Sequence, residues 1–455
     1  MARAHFQADF PWNEVLTDAV RRTGASGSVQ LFLEQREDLT MSWADGEPSA
    51  VRTLSCGVSA SRGRPVQELA YVADPSPDDV ARVAASGASG ASPATAGPRP
   101  WTLAPLAAED MAAAVERVTE SVRKLWSGVR TRATAVAFEQ RIWAADAEIG
   151  CREDHRRSAR LRDEVDANRG ASSSRAIAET TRDFASGFGN DALERLAVRL
   201  VERLDRAFDR RELPPGEYVA ILAPGIGGIL AHEIVGHALE ADTVRARASW
   251  LAALDGAVAD LELRILDDPR RGRAAWRTDD EGIVARPTAL IHGGRVAGAL
   301  HDRSSAALDG VKPTGHGRRA SFREPVMPRM GCTYVAAGRF DARELLESVE
   351  RGVYIRRMEA ASVDPRSGRA VFRVTDSDHV VCGKIAASLH PYLWIVEGPR
   401  ALASLKRIAD DLEFDTCIGS CHRDGQALAI SVGAPTICIG VSGVMCTNII
   451  ESAEG

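Results

Sequence analysis

The chain has 455 residues, a formal net charge of −6, and a composition of 45% hydrophobic and 26% charged residues. That length accommodates two or three ordinary domains, and that composition excludes wholesale disorder. The mild acidity, with no long basic run, argues against a nucleic-acid or polybasic membrane partner. All but four of the 57 basic residues are arginine, the lysines being Lys124, Lys312, Lys384 and Lys406; the bias reads as codon composition.

The opening MARAHFQADFPWNEV has no apolar segment of the secretory type. The apolar stretch from Ala427 to Cys446 is interrupted by Gly433, Pro435, Gly440 and Gly443, so it predicts buried strands and not a membrane span. Eight cysteines spread over such a chain read as free thiols or metal ligands, which places the protein in the cytoplasm.

In chain order, Val15, Leu16, Ala19 and Val20 form a short helical face that ends at Gly24. Alternation from Ser28 to Trp43 predicts a hairpin turning about Arg36 to Asp38, and further strands are expected at Thr53–Ser59 and Gln67–Val72. Ser76 is the N-cap expected for a short helix. Residues 85–100 collapse to Ala, Ser, Gly, Pro and Thr, the composition of a flexible linker. A helix is expected from Ala107 to Trp126, strands at Thr134–Ile142 and Arg175–Glu179, and the strongest helix at Asp191–Phe208.

After Pro214-Pro215-Gly216 come a short buried strand, a PGIGG turn and ILAHEIVGHALEAD. The remainder reads as short extended segments with one clear helix, near Ala403 to Leu412. The fold class is therefore α+β: a mixed N-terminal domain, then a mainly antiparallel β domain, with the histidine-bearing helix between them. The expected division is an N-terminal segment 1–84, the linker 85–100, a continuation 101–215 and a C-terminal domain 216–455.

His232-Glu233-Ile234-Val235-Gly236-His237 carries the chemistry. Two imidazoles hold a metal, and an adjacent carboxylate takes a proton from water, as a hydrolytic zinc site requires. The histidines stand five apart, not the four of HExxH, which in an ideal α-helix separates them by about 140°. Facing one metal then requires a locally widened, π-type turn or a helix that ends near His237, and Gly236 makes such a distortion cheap. The flanking residues are almost wholly apolar, so His and Glu would be costly there without a partner. Cys417-Ile418-Gly419-Ser420-Cys421-His422 offers a third ligand, and its spacing alone does not choose among Cys417, Cys421 and His422. Arg318 and Arg319 are candidates for binding a peptide backbone or carboxylate. Asp279, Asp280 and Glu281 read as an acidic turn, as does Asp267-Asp268-Pro269.

LAHEIVGHALEAD, DDEG (Asp279 to Gly282), GHGRRASFREPVMPRM and GSCHRDGQALAISVGAP occur in the order of the TldD/PmbA metallopeptidase family, which the chain resembles. GVSASRGRPVQELAYVADPSPDDVARVA is similar as well. The resemblance implies a TldD-type subunit with His232, His237 and Cys421 as zinc ligands and Glu233 as general base. A set of two histidines and one cysteine leaves a fourth position for water. It also implies a metal-free TldE (PmbA) partner in a heterodimer, and unfolded or precursor peptides as substrates, including those of modified natural products. Where the family usually reads RMTNT, this chain has Arg329-Met330-Gly331-Cys332-Thr333. The alternatives from the residues are a non-catalytic interaction subunit, or a thiol redox protein using Cys417 and Cys421.

Overall fold

The computed structural model describes residues 10–23, 29–44, 47–62, 68–85, 90–92, 108–170, 172–181, 188–254, 256–259, 263–415, 419–440 and 444–448. Among them, sheets of seven, seven and eight strands and one two-stranded ribbon define an α+β architecture.

The first sheet takes its strands from β1 (Val29–Ala44), β2 (Glu47–Arg62), β3 (Glu68–Ala73), β4 (Gly90–Ser92), β5 (Arg130–Asp146), β6 (Gly150–Arg169) and β7 (Ser172–Thr181). Their order is β4-β3-β2-β1-β5-β6-β7. Four helices complete this half: α1 (Trp12–Arg22), α2 (Pro77–Ala85), α3 (Ala108–Leu125) and α4 (Asn190–Phe208). Alternation along β1 assigns its two faces. Val29, Leu31 and Leu33 pack with residues of α1 and α2, while Leu39, Met41 and Trp43 pack with those of α3 and α4. On the other face Gln30, Phe32 and Glu34 are buried against the second half of the chain. Gln30 donates to the Glu281 carbonyl (3.1 Å), and Glu34 accepts from the Phe322 amide (3.0 Å).

One expectation needs correction in this half. Residues 36–38 do not turn: β1 continues to Ala44, which pairs with Glu47. Arg36 and Asp38 share one strand face and pair at 2.7 Å, while Glu37 is buried and paired with Arg52 at 2.6 Å. Their charge resembles a turn only when the alternation is ignored. The charged segment that forms β6, twenty residues long, was not expected to be a strand; β5 and β7 hold it by pairing on both sides. In the linker, Gly90–Ser92 pairs in parallel with Ala70–Val72, and residues 86–89 and 93–107 lie outside the described residues. Ser76 does cap α2: its hydroxyl accepts from the Asp79 amide (3.3 Å), and Asp79 accepts back from the Ser76 amide (2.9 Å).

The second half is built on two sheets. In one, Ile265–Asp267, Cys332–Val335 and Gln426–Ala434 are adjacent, and Gly419–Arg423 pairs with Gln426–Ala434. In the other, β8 (Val219–Leu222) lies between Ile437–Ile439 and Arg351–Asp364, the latter pairing with Arg369–Val381. Pairing is antiparallel except for Cys332–Val335 with Gln426–Ala434, and β8 with Arg351–Asp364. The helix expected near Ala403–Leu412 is displaced. Gly398–Ala403 is helical, with Pro399 in its first turn, and Leu405–Ile408 is a strand against Ile437–Ile439. Buried Leu405 and Ile408 stand three apart and imitate a helical face. Three other short helices, Ala241–Arg245, Arg303–Asp309 and Ala342–Glu347, were not anticipated.

The segment after β8 is packed between these two sheets. Leu230, Ala231, Ile234, Val235, Ala238 and Leu239 join one core with Val353 and Ile355 from one sheet and Val432 and Ala434 from the other.

Candidate metal centre

α5 (Gly227–Ala231) opens the histidine segment. A Cβ on Gly228 would stand 2.5 Å from the Gly433 amide nitrogen, so glycine lets the helix start lie directly on Gln426–Ala434. The helix then widens as the histidine spacing requires. His232–Gly236 is a π turn in which the His237 amide donates to the His232 carbonyl, and a single 3₁₀ turn, His237–Leu239, follows. Gly236 keeps an ordinary right-handed conformation (φ −56°), so the wide turn does not draw on glycine's freedom. What requires glycine there is Met330, whose Sδ would meet any Cβ.

The wide turn brings the two imidazoles to a centroid separation of 5.0 Å at 80°. The strand Gly419–Arg423 supplies the third group. Its alternation turns Cys421 and Arg423 inward and leaves His422 exposed, which favours Cys421 over His422. Cys417 lies outside the described residues. His232, His237 and Cys421, all buried, each place a ligand atom within 4.8 Å of the others. Cys421 Sγ is 3.5 Å from His237 Nε2. Tetrahedral bonds of the usual zinc–nitrogen and zinc–sulfur lengths set such atoms about 3.5 Å apart, so the donor set fits that metal in spacing and chemistry.

Hydrogen bonding fixes which nitrogen each histidine presents. His237 Nδ1 is 3.0 Å from Glu240 Oε2; a carboxylate only accepts, so Nδ1 carries the hydrogen and Nε2 faces Cys421. Glu240 is fully buried and also accepts from Arg423 (2.9 Å). Thr333 Oγ1 donates to Asp267 Oδ2 (2.7 Å) and so turns a lone pair toward His232 Nδ1, 3.5 Å away. Asp267, expected in a turn, ends the strand Ile265–Asp267, and it accepts from His316 Nε2 and the Gly331 and Cys332 amides as well. These outer partners orient both rings. None was singled out from sequence; for Glu240 the available signal was its place three residues after His237, on the same helical side.

Burial, with His237 and Arg329 nearby, holds His232 well below its ordinary range, so its imidazole is neutral, the form a metal takes. At His237 burial acts the same way, but Glu240 and Cys421 outweigh it and hold the ring well above its usual value in the metal-free protein. Glu233 is not in the ligand triad: its Oε2 is 3.8 Å from His237 Nε2, and with His232 it borders a cleft of about 730 Å³. Burial raises its carboxyl, with Glu240 adding to this and His237 opposing it.

Arg318 and Arg319 do not join this cluster. Both are buried in the seam with the first sheet, where Arg318 donates to Asp280 (3.2 Å) and lies over Trp276, and Arg319 donates to Ser59 (3.1 Å) and lies over Phe32. Asp279, Asp280 and Glu281 do form a turn, and a fully buried one. Burial pushes Asp279 up to about 7 and Glu281 up to about 8, whereas Arg156 and Arg318 hold Asp280 below its ordinary value despite its burial.

A buried triad of two histidines and a cysteine, with a carboxylate beside it on a cleft, is a donor set of the kind metal-dependent hydrolases use. The profile of the PmbA/TldA metallopeptidase C-terminal domain matches residues 215–445, and the chain belongs to this family. The metalloprotease TldD homologue of Haemophilus influenzae is 34% identical over 238 residues, covering 52% of this chain and 49% of that protein. A metalloprotease of Methanothermobacter thermautotrophicus is 30% identical over 248 residues, 54% of each chain. The chain thus spans about half the length of the curated relatives it matches. Among solved structures, TldE of Thermococcus kodakarensis shares the fold with a TM-score of 0.72 at 15% identity, over 95% of this chain and all of that one. A Thermotoga maritima protein described as a putative modulator of DNA gyrase does so with a TM-score of 0.75 at 16% identity, over 96% and 100%.

Proposed function

We propose that the chain is a zinc-dependent peptidase of the TldD type, acting on amide bonds of unfolded or precursor peptides, modified-peptide natural products included. The observation that carries this reading is the buried His232, His237 and Cys421 triad with Glu233 beside it at the cleft. His232, His237 and Cys421 would hold the zinc, which supplies a Lewis acid and acidifies a water. Glu233 accepts that water's proton and returns it to the leaving amine, and its raised carboxyl suits both transfers. Ile226, Ile229, Ile430 and Val432 give the cleft an apolar wall that limits water around the reacting groups.

The proposal places the enzyme in the cytoplasm, supported by free thiols at Cys56, Cys151, Cys332, Cys382, Cys421 and Cys438. Among the described residues no helix is long and apolar enough to cross a membrane. Its partner would be a metal-free TldE-like homologue, in keeping with the fold shared with TldE.

Glu233→Gln tests the function. The variant is expected to retain about one zinc per chain and to lose 10²–10⁴-fold in peptide hydrolysis, roughly the contribution of a general base. Hydrolysis at the wild-type rate would refute the mechanism. Cys421→Ser is expected to lose most of the metal, a result that a purely redox role for this thiol does not require.

A further inference from the structure

The cleft that Glu233 borders is also lined by six arginines, which hydrolysis itself does not call for. Arg160 and Arg162 come from β6, Arg199 and Arg203 from α4, and Arg356 and Arg357 from the strand Arg351–Asp364. Their convergence follows from the fold. On β6, Asp154, Arg156 and Ser158 point into the buried seam with the second half, while Arg160 and Arg162, further along, are only half-buried and line the cleft.

Five of these six guanidiniums pair with carboxylates, one of which, Glu179, itself borders the cleft. Glu179 lies 3.5 Å from Arg162, 4.0 Å from Arg160 and 3.2 Å from Arg357. Asp376 lies 3.3 Å from Arg203, and Asp378 2.7 Å from Arg356. The anchoring is one-sided. Arg356 engages Asp378 through Nε and lies over the Tyr354 ring (4.6 Å), and Arg162 meets Glu179 through Nη1, leaving the remaining N–H edge of each planar fork available among the described residues. Their side chains remain 33% and 39% exposed. Burial, joined by Arg357, Arg199 and Arg206, holds Arg203 below its ordinary value against the pull of Asp376, so cationic crowding persists. Of the carboxylates that also border the cleft, Glu179 and Glu359 pair with these arginines, while Glu413 and Asp415 lie beside Pro224 and Gly225.

We propose that this arginine wall, with Arg162 and Arg356 as its available forks, binds a carboxylate of the substrate and selects acidic peptides for the metal centre. The proposal rests on the peptidase reading above. Arginine suits the task because its fork matches a carboxylate two-pronged and keeps its charge at any working pH.

The test uses the zinc-loaded Glu233→Gln protein and fluorescent peptides differing only in Glu against Gln, or in a free against an amidated C-terminus. Anisotropy is expected to show about tenfold tighter binding of the acidic member at low salt, fading as salt rises. Whichever pair shows the difference identifies the carboxylate that is read. Arg162→Gln and Arg356→Gln should each erode the preference, while Arg162→Lys and Arg356→Lys should keep most of it; thermal melts confirm that the variants are folded. Equal affinity for acidic and neutral peptides, or a preference unchanged in both Gln variants, would overturn the proposal. Hydrolysis of the same peptides by the unsubstituted enzyme separates the two readings. Charge-selective binding without cleavage defeats the peptidase assignment alone; cleavage without charge preference defeats the arginine wall alone.

Discussion

His232 and His237 present the same nitrogen to the same point because each has its other nitrogen committed outward. For His237 the commitment is a direct bond to a buried carboxylate, and for His232 a longer contact to a hydroxyl whose own hydrogen goes to Asp267. Thr333→Val removes that hydroxyl at nearly constant volume. Zinc affinity, measured by competition with a chromogenic chelator, is expected to fall about tenfold, the low end for an outer partner of a metal-bound histidine, and Thr333→Ser should retain it. An unchanged affinity in the valine variant would mean that packing alone orients His232. The two histidines of the candidate centre were legible in the sequence, since an HExxxH among apolar residues demands a partner. Cys421 could be separated from His422 by residues alone only once its strand was known. Thr333 and Asp267 were beyond reach, because they meet His232 across 101 residues and each other across 66.

At the scale of elements, the five-residue histidine spacing predicted either a widened helix or one ending near His237, and the π turn at His232–Gly236 is the first of these. Misreadings arose where a strand carries charge. The Arg36–Asp38 cluster lies within β1, and β6 escaped notice because one of its faces meets a polar seam and a cleft instead of a core. β6 also holds Asp163 on its helix-covered face, between Ala133 and Ala178, buried and with Oδ2 lacking a hydrogen-bond partner among the described residues. Burial pushes this carboxyl from 3.8 up to about 8. The folded chain therefore keeps a proton that the unfolded chain has released, and stability should fall as pH rises from about 4 to about 8, then level off. The slope from this one group is at most about 1.4 kcal/mol per pH unit. Urea denaturation across that window is expected to show a flatter pH dependence for Asp163→Asn and higher stability at the alkaline end. An identical pH profile in the variant would place the proton elsewhere.

Across the whole molecule, the first sheet divides its labour by face. One face packs on four helices, and the other joins the second half through buried ion pairs such as Arg156 with Asp280 (2.6 Å) before parting from it at the cleft. His232 and Glu233 border that cleft, which, on the proposed function, a second subunit would enclose. Light scattering of the chain mixed with its metal-free homologue is expected to give the mass of a heterodimer, with peptide hydrolysis rising on mixing. Full activity of the chain alone, with no change in mass or rate on mixing, would remove the partner from the account. The central claim is the identity of the three ligands, and X-ray absorption at the zinc edge of the purified protein addresses it most directly. The predicted first shell holds two imidazole nitrogens and one oxygen at about 2.0–2.1 Å with a single sulfur at about 2.3 Å, the sulfur vanishing in Cys421→Ser. A shell without sulfur, or one with several, would contradict it.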